Sequence, residues 1–353
     1  MDFSAKSRPQ AHPGIARIWW IRLTVLAVSL AAALVAAEVV LRASGGAGSP
    51  ARRVEAPKVS AYDSLLGWSL TPGAGIRHRT SEFDVSVRIN RQGFRADREY
   101  SEKASPGILR IVGLGDSFAF GQGVEVEESY LAILERRLRN AEVINLGVPG
   151  YGVDQQLLIL ESRGLRYHPD LVLLGLHTPD VFRSVKRGHG AYAKPRFLLG
   201  RGGALELTNV PVPREAREPP PRPLWERLKL FRTVANRLEH HGFGEVWDVT
   251  DGIFRRMADR ASGAGANLLV LLMPPKYAVY GSALERTSQA HTIGCIADLL
   301  RENGIEYLDV TPALQARAEK APGELLFYPV DGHFTPAGHR VVALEVHEHL
   351  GSR

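Results

Sequence analysis

A serine at the end of an apolar run is the first group in the chain that could do chemistry. Residues 110–121 read Arg-Ile-Val-Gly-Leu-Gly-Asp-Ser-Phe-Ala-Phe-Gly, so an apolar, partly β-branched run leads into a Gly-Asp-Ser corner that holds Ser117. This pattern predicts a strand followed by a tight turn, with the hydroxyl at the carboxyl end of the strand, where ligands bind in open α/β sheets. A serine at a corner can also cap a helix. The corner alone therefore leaves two interpretations, nucleophile or cap.

A second short stretch near the other end of the chain carries acid–base groups. Asp331 and His333 are separated by one glycine, just before the last amphipathic segment. A serine hydroxyl is a weak nucleophile unless a base takes its proton, and that base works best when a third group orients it. Asp331 and His333 could supply the orienting group and the base. The alternative is that Asp331 is a turn residue and that His339 is the useful histidine.

The order of these motifs resembles that of the SGNH/GDSL hydrolases over roughly residues 60–350. Gly-Asp-Ser lies near the first core strand, an Asn-x-Gly-x-x-Gly block follows the second, and Asp-x-His lies near the end. The resemblance implies that Ser117 attacks an acyl carbon, that His333 is the base and that Asp331 orients the imidazole. It also implies an oxyanion hole that includes the backbone amide of Ser117.

The second block of the resemblance is Asn-Leu-Gly-Val-Pro-Gly at residues 145–150. The family places an oxyanion glycine after the second strand, and the resemblance assigns that role to Gly150. A tetrahedral acyl-transfer intermediate needs such donors aimed at its oxyanion. The alternative for Gly150 is an ordinary turn glycine in a Pro-Gly corner.

The third block departs from the family pattern. Where the family has Gly-x-Asn-Asp, residues 175–180 read Gly-Leu-His-Thr-Pro-Asp, which we interpret as Pro179 in the asparagine slot. Proline has no N–H to donate, and the loss of one oxyanion donor typically costs about 10²–10³ in rate. His177 or Thr178 could replace the asparagine. Tyr277, after the fourth strand, is a further candidate for binding substrate, although a packed tyrosine is the alternative.

The resemblance implies a serine-dependent hydrolase acting on O-acyl esters, with cell-envelope carbohydrate as the expected substrate. Some likeness to alginate acetyltransferase-like proteins, which share the Asp-x-His spacing, keeps open an O-acetyltransferase that acts on an exopolysaccharide. Pro179 also keeps open a non-catalytic envelope binding protein with the same fold, because function resides in the site and not in the fold. The sequence shows no metal-ligand cluster, phosphate loop or dinucleotide fingerprint, so we expect no cofactor and no metal.

The elements that must position these groups alternate between strand and helix. Strands are predicted at 108–113, 143–146, 171–176, 268–273 and 305–310, and helices at 129–139, 154–163 and 284–303. Ser129 is the candidate cap of the first of these helices. This alternation predicts an α/β fold, a doubly wound parallel five-stranded sheet, and the resemblance implies the SGNH-hydrolase, flavodoxin-like type. Small β additions, two or three strands, are predicted at 62–95. An insertion at about 181–223, with a hairpin at 197–210, is either a solvated loop or a lid.

The N-terminus predicts a membrane helix. Leu23–Leu41 is apolar apart from three polar residues, and its 19 residues at about 1.5 Å each nearly cover a ~30 Å hydrocarbon core. We expect an anchor rather than a cleaved signal peptide, because the apolar run resumes past Glu38. The predicted organisation is a tail at 1–22, an anchor at 23–41, a flexible tether at 42–58 and a hydrolase-like domain at 59–350.

The charge of the chain is concentrated at its N-terminus. The net charge is +6, and residues 1–58 hold eight Lys/Arg against three Asp/Glu, whereas the rest holds 36 against 35. We therefore expect no nucleic-acid partner. The Lys/Arg counts on the two sides of the span are equal, so the positive-inside rule does not orient it. The resemblance implies a single-pass protein of the cytoplasmic (inner) membrane whose catalytic domain lies outside the cytoplasm.

Overall fold

The computed structural model describes residues 13–44, 59–103, 105–189, 192–214 and 244–351. The predicted tail up to residue 12, the tether from residue 45 to 58 and residues 215–223 of the insertion lie outside the described residues. The chain divides into two compact units. One comprises residues 1–53 and 218–242, and the other comprises residues 54–217 and 243–353.

The described part of the first unit is one long helix, α1, Pro13–Ser44. Its segment Arg22–Val40 has a mean hydropathy of 2.3 over 19 residues. By length and composition it could cross a membrane, and it coincides with the predicted span Leu23–Leu41 to within one residue at each end. A signal sequence near an N-terminus has the same properties, so α1 is a candidate membrane span.

The second unit alternates strands and helices. Its described strands are β1 (Ser60–Asp63), β2 (Gly67–Leu70), β3 (Gly75–Arg79), β4 (Asp84–Arg88), β5 (Leu109–Gly115), β6 (Ala141–Asn145), β7 (Leu171–His177), β8 (Gly188–His189), β9 (Tyr192–Ala193), β10 (Arg196–Leu199), β11 (Leu205–Thr208), β12 (Asn267–Met273) and β13 (Glu306–Asp309). Its described helices are α2 (Ser117–Phe120), α3 (Tyr130–Arg137), α4 (Val153–Ser162), α5 (Gly244–Gly263), α6 (Lys276–Tyr280), α7 (Ala283–Glu302), α8 (Thr311–Lys320) and α9 (Pro336–Gly351). Short 3₁₀ helices lie at Val126–Glu128, Gly164–Tyr167 and Thr178–Arg183.

Five parallel strands form the central sheet in the order β13-β12-β7-β5-β6. Counted along the chain this is the 2-1-3-4-5 order of flavodoxin-like folds, so the predicted fold class is confirmed. In such a sheet the strand order reverses between the first and third strands, which here are β5 and β7. The carboxyl ends of those two strands border the crevice where this fold class binds ligands.

The sheet is covered on both faces, as its apolar sequences predict. Every residue of β7 is buried, which is the pattern of a parallel strand packed on both sides. Successive residues of β5 pack on opposite faces of the sheet. Ile111 belongs to the hydrophobic cluster that includes α3 and α9, and Val112 belongs to the cluster that includes α4 and α5. The fold is therefore doubly wound.

Local capping residues mark the N-termini of two helices. Ser129 accepts a hydrogen bond from the Ala132 amide at 3.4 Å and caps α3, as predicted. Ser282 and Glu285 form a reciprocal capping box at the start of α7, in which the Glu285 carboxylate accepts from the Ser282 amide at 2.8 Å. Such caps satisfy amides that have no partner within the helix.

The additions to the sheet are four small antiparallel pairs. The region 62–95 contains two hairpins, β1–β2 and β3–β4, rather than the two or three strands predicted. The hairpin predicted at 197–210 is present as β10–β11. The additional pair β8–β9 has two residues per strand, which is too short to show a period of two in the sequence.

Candidate active site

Ser117 begins α2, directly after the central strand β5. The carboxylate of Asp116 accepts a hydrogen bond from the Phe118 amide at 2.9 Å and caps this one-turn helix. The corner requires glycine on its strand side, because Gly115 has φ +149 and a Cβ there would lie 2.6 Å from the Gly175 carbonyl oxygen of β7. The sheet edge and the glycine thus fix the place of the hydroxyl.

His333 lies beside that hydroxyl, although 216 positions separate the two residues in the chain. Ser117 Oγ is 2.7 Å from His333 Nε2. On the other side of the ring, His333 Nδ1 is 2.5 Å from Asp331 Oδ1. Burial acts to raise the pKa of Asp331, but the hydrogen bond and charge of His333 outweigh it, so this pKa lies below its ordinary value. A carboxylate, an imidazole and a hydroxyl in this order can activate the hydroxyl as a nucleophile.

A tight turn holds Asp331 and His333 together. The Tyr328 amide donates to the His333 carbonyl oxygen at 2.8 Å, and the Gly332 amide donates to the Tyr328 carbonyl oxygen at 3.0 Å. Gly332 has φ +86, a left-handed conformation that favours glycine. The turn therefore places the carboxylate and the imidazole side by side.

His339 is not part of this arrangement. Its side chain is fully buried, and Nδ1 accepts a hydrogen bond from the Tyr130 amide at 3.2 Å. Burial lowers the pKa of His339 to about 3, so the ring is neutral. The alternative that His339 is the useful histidine has no support in this geometry.

The turn after β6 comes to the same edge of the sheet. The Val148 amide donates to the Gly115 carbonyl oxygen at 3.1 Å, which brings residues 147–150 beside the serine corner. Gly150 has φ +84, and a Cβ there would lie 2.7 Å from His189 Cδ2. Among the described residues, neither the Ser117 amide nor the Gly150 amide donates to another group. Both N–H groups are available to a ligand.

The strand register puts His177 next to Ser117. Gly115 of β5 pairs with Gly175 of β7, so Ser117, the first residue of α2, and His177, the last residue of β7, each lie two residues beyond this pair. The Phe118 ring stacks on the imidazole of His177, with centroids 4.3 Å apart, and contacts that of His333 at 4.9 Å. Pro179 lies farther on, in the first turn of a 3₁₀ helix. By register, His177 and not Pro179 is level with Ser117.

The other two candidate residues lie less favourably. Thr178 has no exposed surface, and its hydroxyl has no partner among the described residues. Tyr277 is 40% exposed, on α6. The α6 helix contacts the turn before Asp331 through Lys276, whose Nζ donates to the Pro329 carbonyl oxygen at 2.5 Å. No hydrogen bond within the described part of the chain joins Tyr277 to the serine, the histidine or the aspartate.

A buried charge cluster lies behind the serine. Arg183 Nη1 is 3.0 Å from Asp116 Oδ2 and 2.5 Å from Asp180 Oδ1, and His177 Nδ1 is 3.7 Å from each of these oxygens. Burial acts to raise the pKa of Asp116, but His177 and Arg183 outweigh it and the pKa is lowered. Burial and the charge of Asp116 raise the pKa of Asp180 to about 6.

This cluster contains three possible metal ligands, Asp116, His177 and Asp180, whose ligand atoms lie within 4.8 Å of one another. The guanidinium of Arg183 already bonds both carboxylates and supplies the positive charge that a metal ion would otherwise bring. These residues therefore fit an arginine-centred network and do not fit a metal site.

Three residues of this region were not predicted from the sequence: Glu82, Arg183 and His189. The Glu82 carboxylate accepts hydrogen bonds from the backbone of the Asp331 turn. Arg183 and His189 both come from the start of the predicted insertion, which is thus part of the site and not a remote loop. Charged residues between apolar segments have no periodic signal in the sequence. The one sequence feature that points to this region is the altered third block, which ends at Asp180.

The fold and the site define a class. A doubly wound parallel sheet with a serine–histidine pair at its carboxyl edge is characteristic of α/β serine hydrolases. The model of the GDSL-like lipase/acylhydrolase family matches residues 114–341, which is more than half of the chain. The protein belongs to this family. It is an SGNH-type serine esterase, an enzyme that hydrolyses acyl esters.

Solved structures with a similar fold include three esterases or hydrolases. LAE5, an α/β hydrolase enzyme from the metagenome of Lake Arreo, Spain, is 14% identical, with 71% of this chain and 97% of that chain covered and a TM-score of 0.45. The acetyl xylan esterase AlAXEase is 15% identical, with coverages of 68% and 98% and a TM-score of 0.43. A catalytic mutant of Axe2, an acetylxylan esterase from Geobacillus stearothermophilus, is 13% identical, with coverages of 71% and 97% and a TM-score of 0.44. No curated protein sequence matches the chain.

Proposed function

We propose that Ser117 is the nucleophile of this esterase, that His333 is its general base and that Asp331 orients the imidazole. The observation that carries the proposal is the continuous hydrogen-bonded line from Asp331 Oδ1 through the ring to Ser117 Oγ, with separations of 2.5 and 2.7 Å. Both distances are within the reach that proton transfer requires. The lowered pKa of Asp331 keeps its carboxylate ionised beside the ring.

The reaction follows from this line. Ser117 Oγ attacks the acyl carbon while His333 Nε2 takes its proton, and the Asp331 carboxylate stabilises the imidazolium that forms. The imidazolium then protonates the departing alcohol, and the acyl group stays bound to Ser117 Oγ. In the second half the same ring takes a proton from water, which attacks the acyl carbon. The imidazolium then gives that proton to Ser117 Oγ as the bond to the acyl carbon breaks, so that the acid is released and the serine hydroxyl is restored.

The oxyanion is held by the backbone amides of Ser117 and Gly150 in this proposal. Support comes from the two unoccupied N–H groups and from the left-handed turn that only a glycine adopts readily at residue 150. Removing such a donor typically costs about 10²–10³ in rate. Preorganised amides in a partly buried site act without reorganisation, which is why this contribution is large.

His177 is the third oxyanion donor in the proposal. Its Nδ1 faces the carboxylates of Asp116 and Asp180, which leaves Nε2 as the ring nitrogen available to a ligand. In the proposal, the N–H at Nε2 donates to the oxyanion. The buried Thr178 has no part in the proposal.

The proposed substrate is an O-acyl ester on a carbohydrate of the cell envelope. Support comes from the resemblance described above and from α1, which would hold the domain at a membrane. The same acyl-enzyme could pass its acyl group to a carbohydrate hydroxyl instead of water. One observation favours keeping this second candidate: His189, from the insertion, lies against Gly150, so the insertion borders the proposed oxyanion donor. Mass analysis of products with and without an oligosaccharide acceptor separates the two, and free acid alone in both reactions excludes the transferase.

A single substitution tests the nucleophile. Ser117→Ala in the full-length protein is expected to abolish hydrolysis of p-nitrophenyl acetate and labelling by a fluorophosphonate probe, because no other hydroxyl in the described site lies against His333. Thermal unfolding of wild type and variant serves as the control for folding. An unchanged rate or unchanged labelling in a folded variant would remove Ser117 from the mechanism.

A further inference from the structure

The hairpin β3–β4 packs against the turn that carries Asp331 and His333. Phe83, directly before β4, contacts two rings: its centroid is 5.1 Å from that of Tyr328 and 4.9 Å from that of His78. Tyr328 in turn donates its hydroxyl proton to the Gly123 carbonyl oxygen at 2.8 Å. This hairpin precedes the matched family region, which begins at residue 114. It is nevertheless in direct contact with the proposed catalytic turn.

The closest contact is made by Glu82. Its carboxylate accepts a hydrogen bond from the Val330 amide at 2.8 Å and another from the Asp331 amide at 2.6 Å. Hydrogen bonds to an ionised acceptor are stronger than neutral ones. The two bonds use both carboxylate oxygens, so they fix the direction as well as the position of the peptide that leads into Asp331.

The Glu82 side chain itself starts from a rigid turn. The Thr80 hydroxyl oxygen accepts from the Glu82 amide at 3.1 Å and from the Phe83 amide at 3.2 Å. The Thr80 amide donates to the Phe83 carbonyl oxygen at 2.9 Å. The carboxylate is therefore presented by an ordered hairpin end and not by a free loop.

The same N-terminal region also holds the serine side of the site. Arg95, which is 2% exposed, donates to the carbonyl oxygens of Phe120, Gly121 and Val124. These carbonyl oxygens lie at the end of α2 and in the turn that follows it. Segment 78–95 thus contacts both the helix that starts with Ser117 and the turn that ends with His333.

We infer that Glu82 is a positioning residue of this esterase: it sets the distance between the His333 ring and Ser117 by clamping the backbone at residues 330 and 331. The inference rests on the proposed function, since it assigns a support to the proposed base. Without the clamp, Asp331 and His333 stay joined by their own turn, but the turn as a whole can shift away from α2. A misplacement of about 1 Å can cost about 10²-fold in rate.

The test compares Glu82→Ala, Glu82→Gln and Asp84→Asn with wild type as full-length proteins in the same detergent. Active sites are counted by end-point labelling with the fluorophosphonate, and kcat per labelled site and KM are measured with p-nitrophenyl acetate. We expect Glu82→Ala to lower kcat by roughly 10- to 100-fold while KM changes by less than about 2-fold. Glu82→Gln keeps one accepting oxygen and should recover part of the loss.

Asp84→Asn is the matched control, because Asp84 belongs to the same hairpin but pairs with Arg77 and Arg79 and not with the turn. Its kcat per site should equal that of wild type. The inference is overturned if Glu82→Ala keeps the wild-type kcat per labelled site, or if Asp84→Asn loses as much, since the effect then belongs to the stability of the hairpin. Ser117→Ala in the same series separates this outcome from a failure of the proposed function, which would appear as activity in that variant.

Discussion

At the scale of single residues, the charges around Ser117 determine what each neighbour can do. Asp331 is kept ionised by His333, the proposed base. Asp116 and Asp180 share the guanidinium of Arg183 and face His177. These carboxylates have different roles in our proposal. Asp331 stabilises the imidazolium that forms at His333 during the reaction, and Asp116 and Asp180 hold His177, the proposed third oxyanion donor.

Substitution of His177 tests the second of these roles. His177→Leu is expected to lower kcat by about 10²–10³, the typical effect of losing one oxyanion donor. His177→Asn should lose less, because its side-chain amide N–H can still donate to the oxyanion. Both rates are measured with p-nitrophenyl acetate per fluorophosphonate-labelled site.

Thr178→Val is the matched control for His177, since it alters the neighbouring residue without removing a group that reaches the surface. Equal kcat in His177→Leu and wild type would show that His177 does not contact the oxyanion. A loss in His177→Asn as large as in His177→Leu would show that the amide cannot substitute for the ring.

At the scale of elements, buried polar contacts join helices across the sheet edge. The imidazole of His339 on α9 accepts from the Tyr130 amide in the first turn of α3, where no intrahelical partner exists. Arg95 donates to the carbonyl oxygens of Phe120, at the end of α2, and of Gly121 and Val124 after it. These contacts explain how irregular segments near the site are held without regular secondary structure.

The buried ring of His339 predicts a specific loss of stability in acid. Its folded pKa, about 3, lies below the unfolded value of about 6.5. Its contribution is therefore fully present above pH 6.5 and is lost as pH falls from there toward 3. Between pH 7 and pH 5 this group alone should cost about 2 kcal/mol of unfolding free energy. Denaturant unfolding at both pH values, followed by tryptophan fluorescence, measures the loss.

His339→Gln keeps an acceptor for the Tyr130 amide but does not titrate, so its unfolding free energy should fall about 2 kcal/mol less than that of wild type between pH 7 and pH 5. His347→Gln, on the same helix but only partly buried, is the control and should behave like wild type. An identical pH dependence in wild type and His339→Gln would contradict the neutral, buried assignment.

At the scale of the whole molecule, the esterase unit and α1 are separate parts with different compositions. The excess positive charge lies within residues 1–58, while the remainder is almost neutral. We propose that α1 anchors the protein in the cytoplasmic membrane. We further propose that the esterase domain lies outside the cytoplasm, where envelope carbohydrates occur.

Reporter fusions test this topology. Alkaline phosphatase fused after Arg353 is expected to be active, and a fluorescent protein that matures only in the cytoplasm is expected to stay dark at the same position. Long C-terminal domains translocate largely regardless of flanking charge, so the equal Lys/Arg counts do not oppose this outcome. Fluorescence without phosphatase activity would place the domain in the cytoplasm and exclude an envelope substrate. Retention of α1 in the mature protein distinguishes an anchor from a cleaved signal.

The sequence by itself determined the strands of the sheet, the capping serine of α3 and the members of the Ser117–His333–Asp331 line. These features are local or carried by motif order: apolar runs mark buried parallel strands, and Gly-Asp-Ser and Asp-x-His are short enough to be recognised without coordinates. Their order along the chain was sufficient to predict a doubly wound sheet, because right-handed crossovers allow few alternatives.

Only the tertiary structure decided which residues support that line. His177 and Thr178 were both candidates for the third donor, and the register of β5 against β7 favours His177 in our proposal, because pairing between strands distant in sequence is not encoded in either strand alone. Glu82 and Arg183 are charged residues without periodicity, and their partners lie 249 and 67 positions away. Such contacts depend on how separate elements meet at the sheet edge, which is a property of the packed fold.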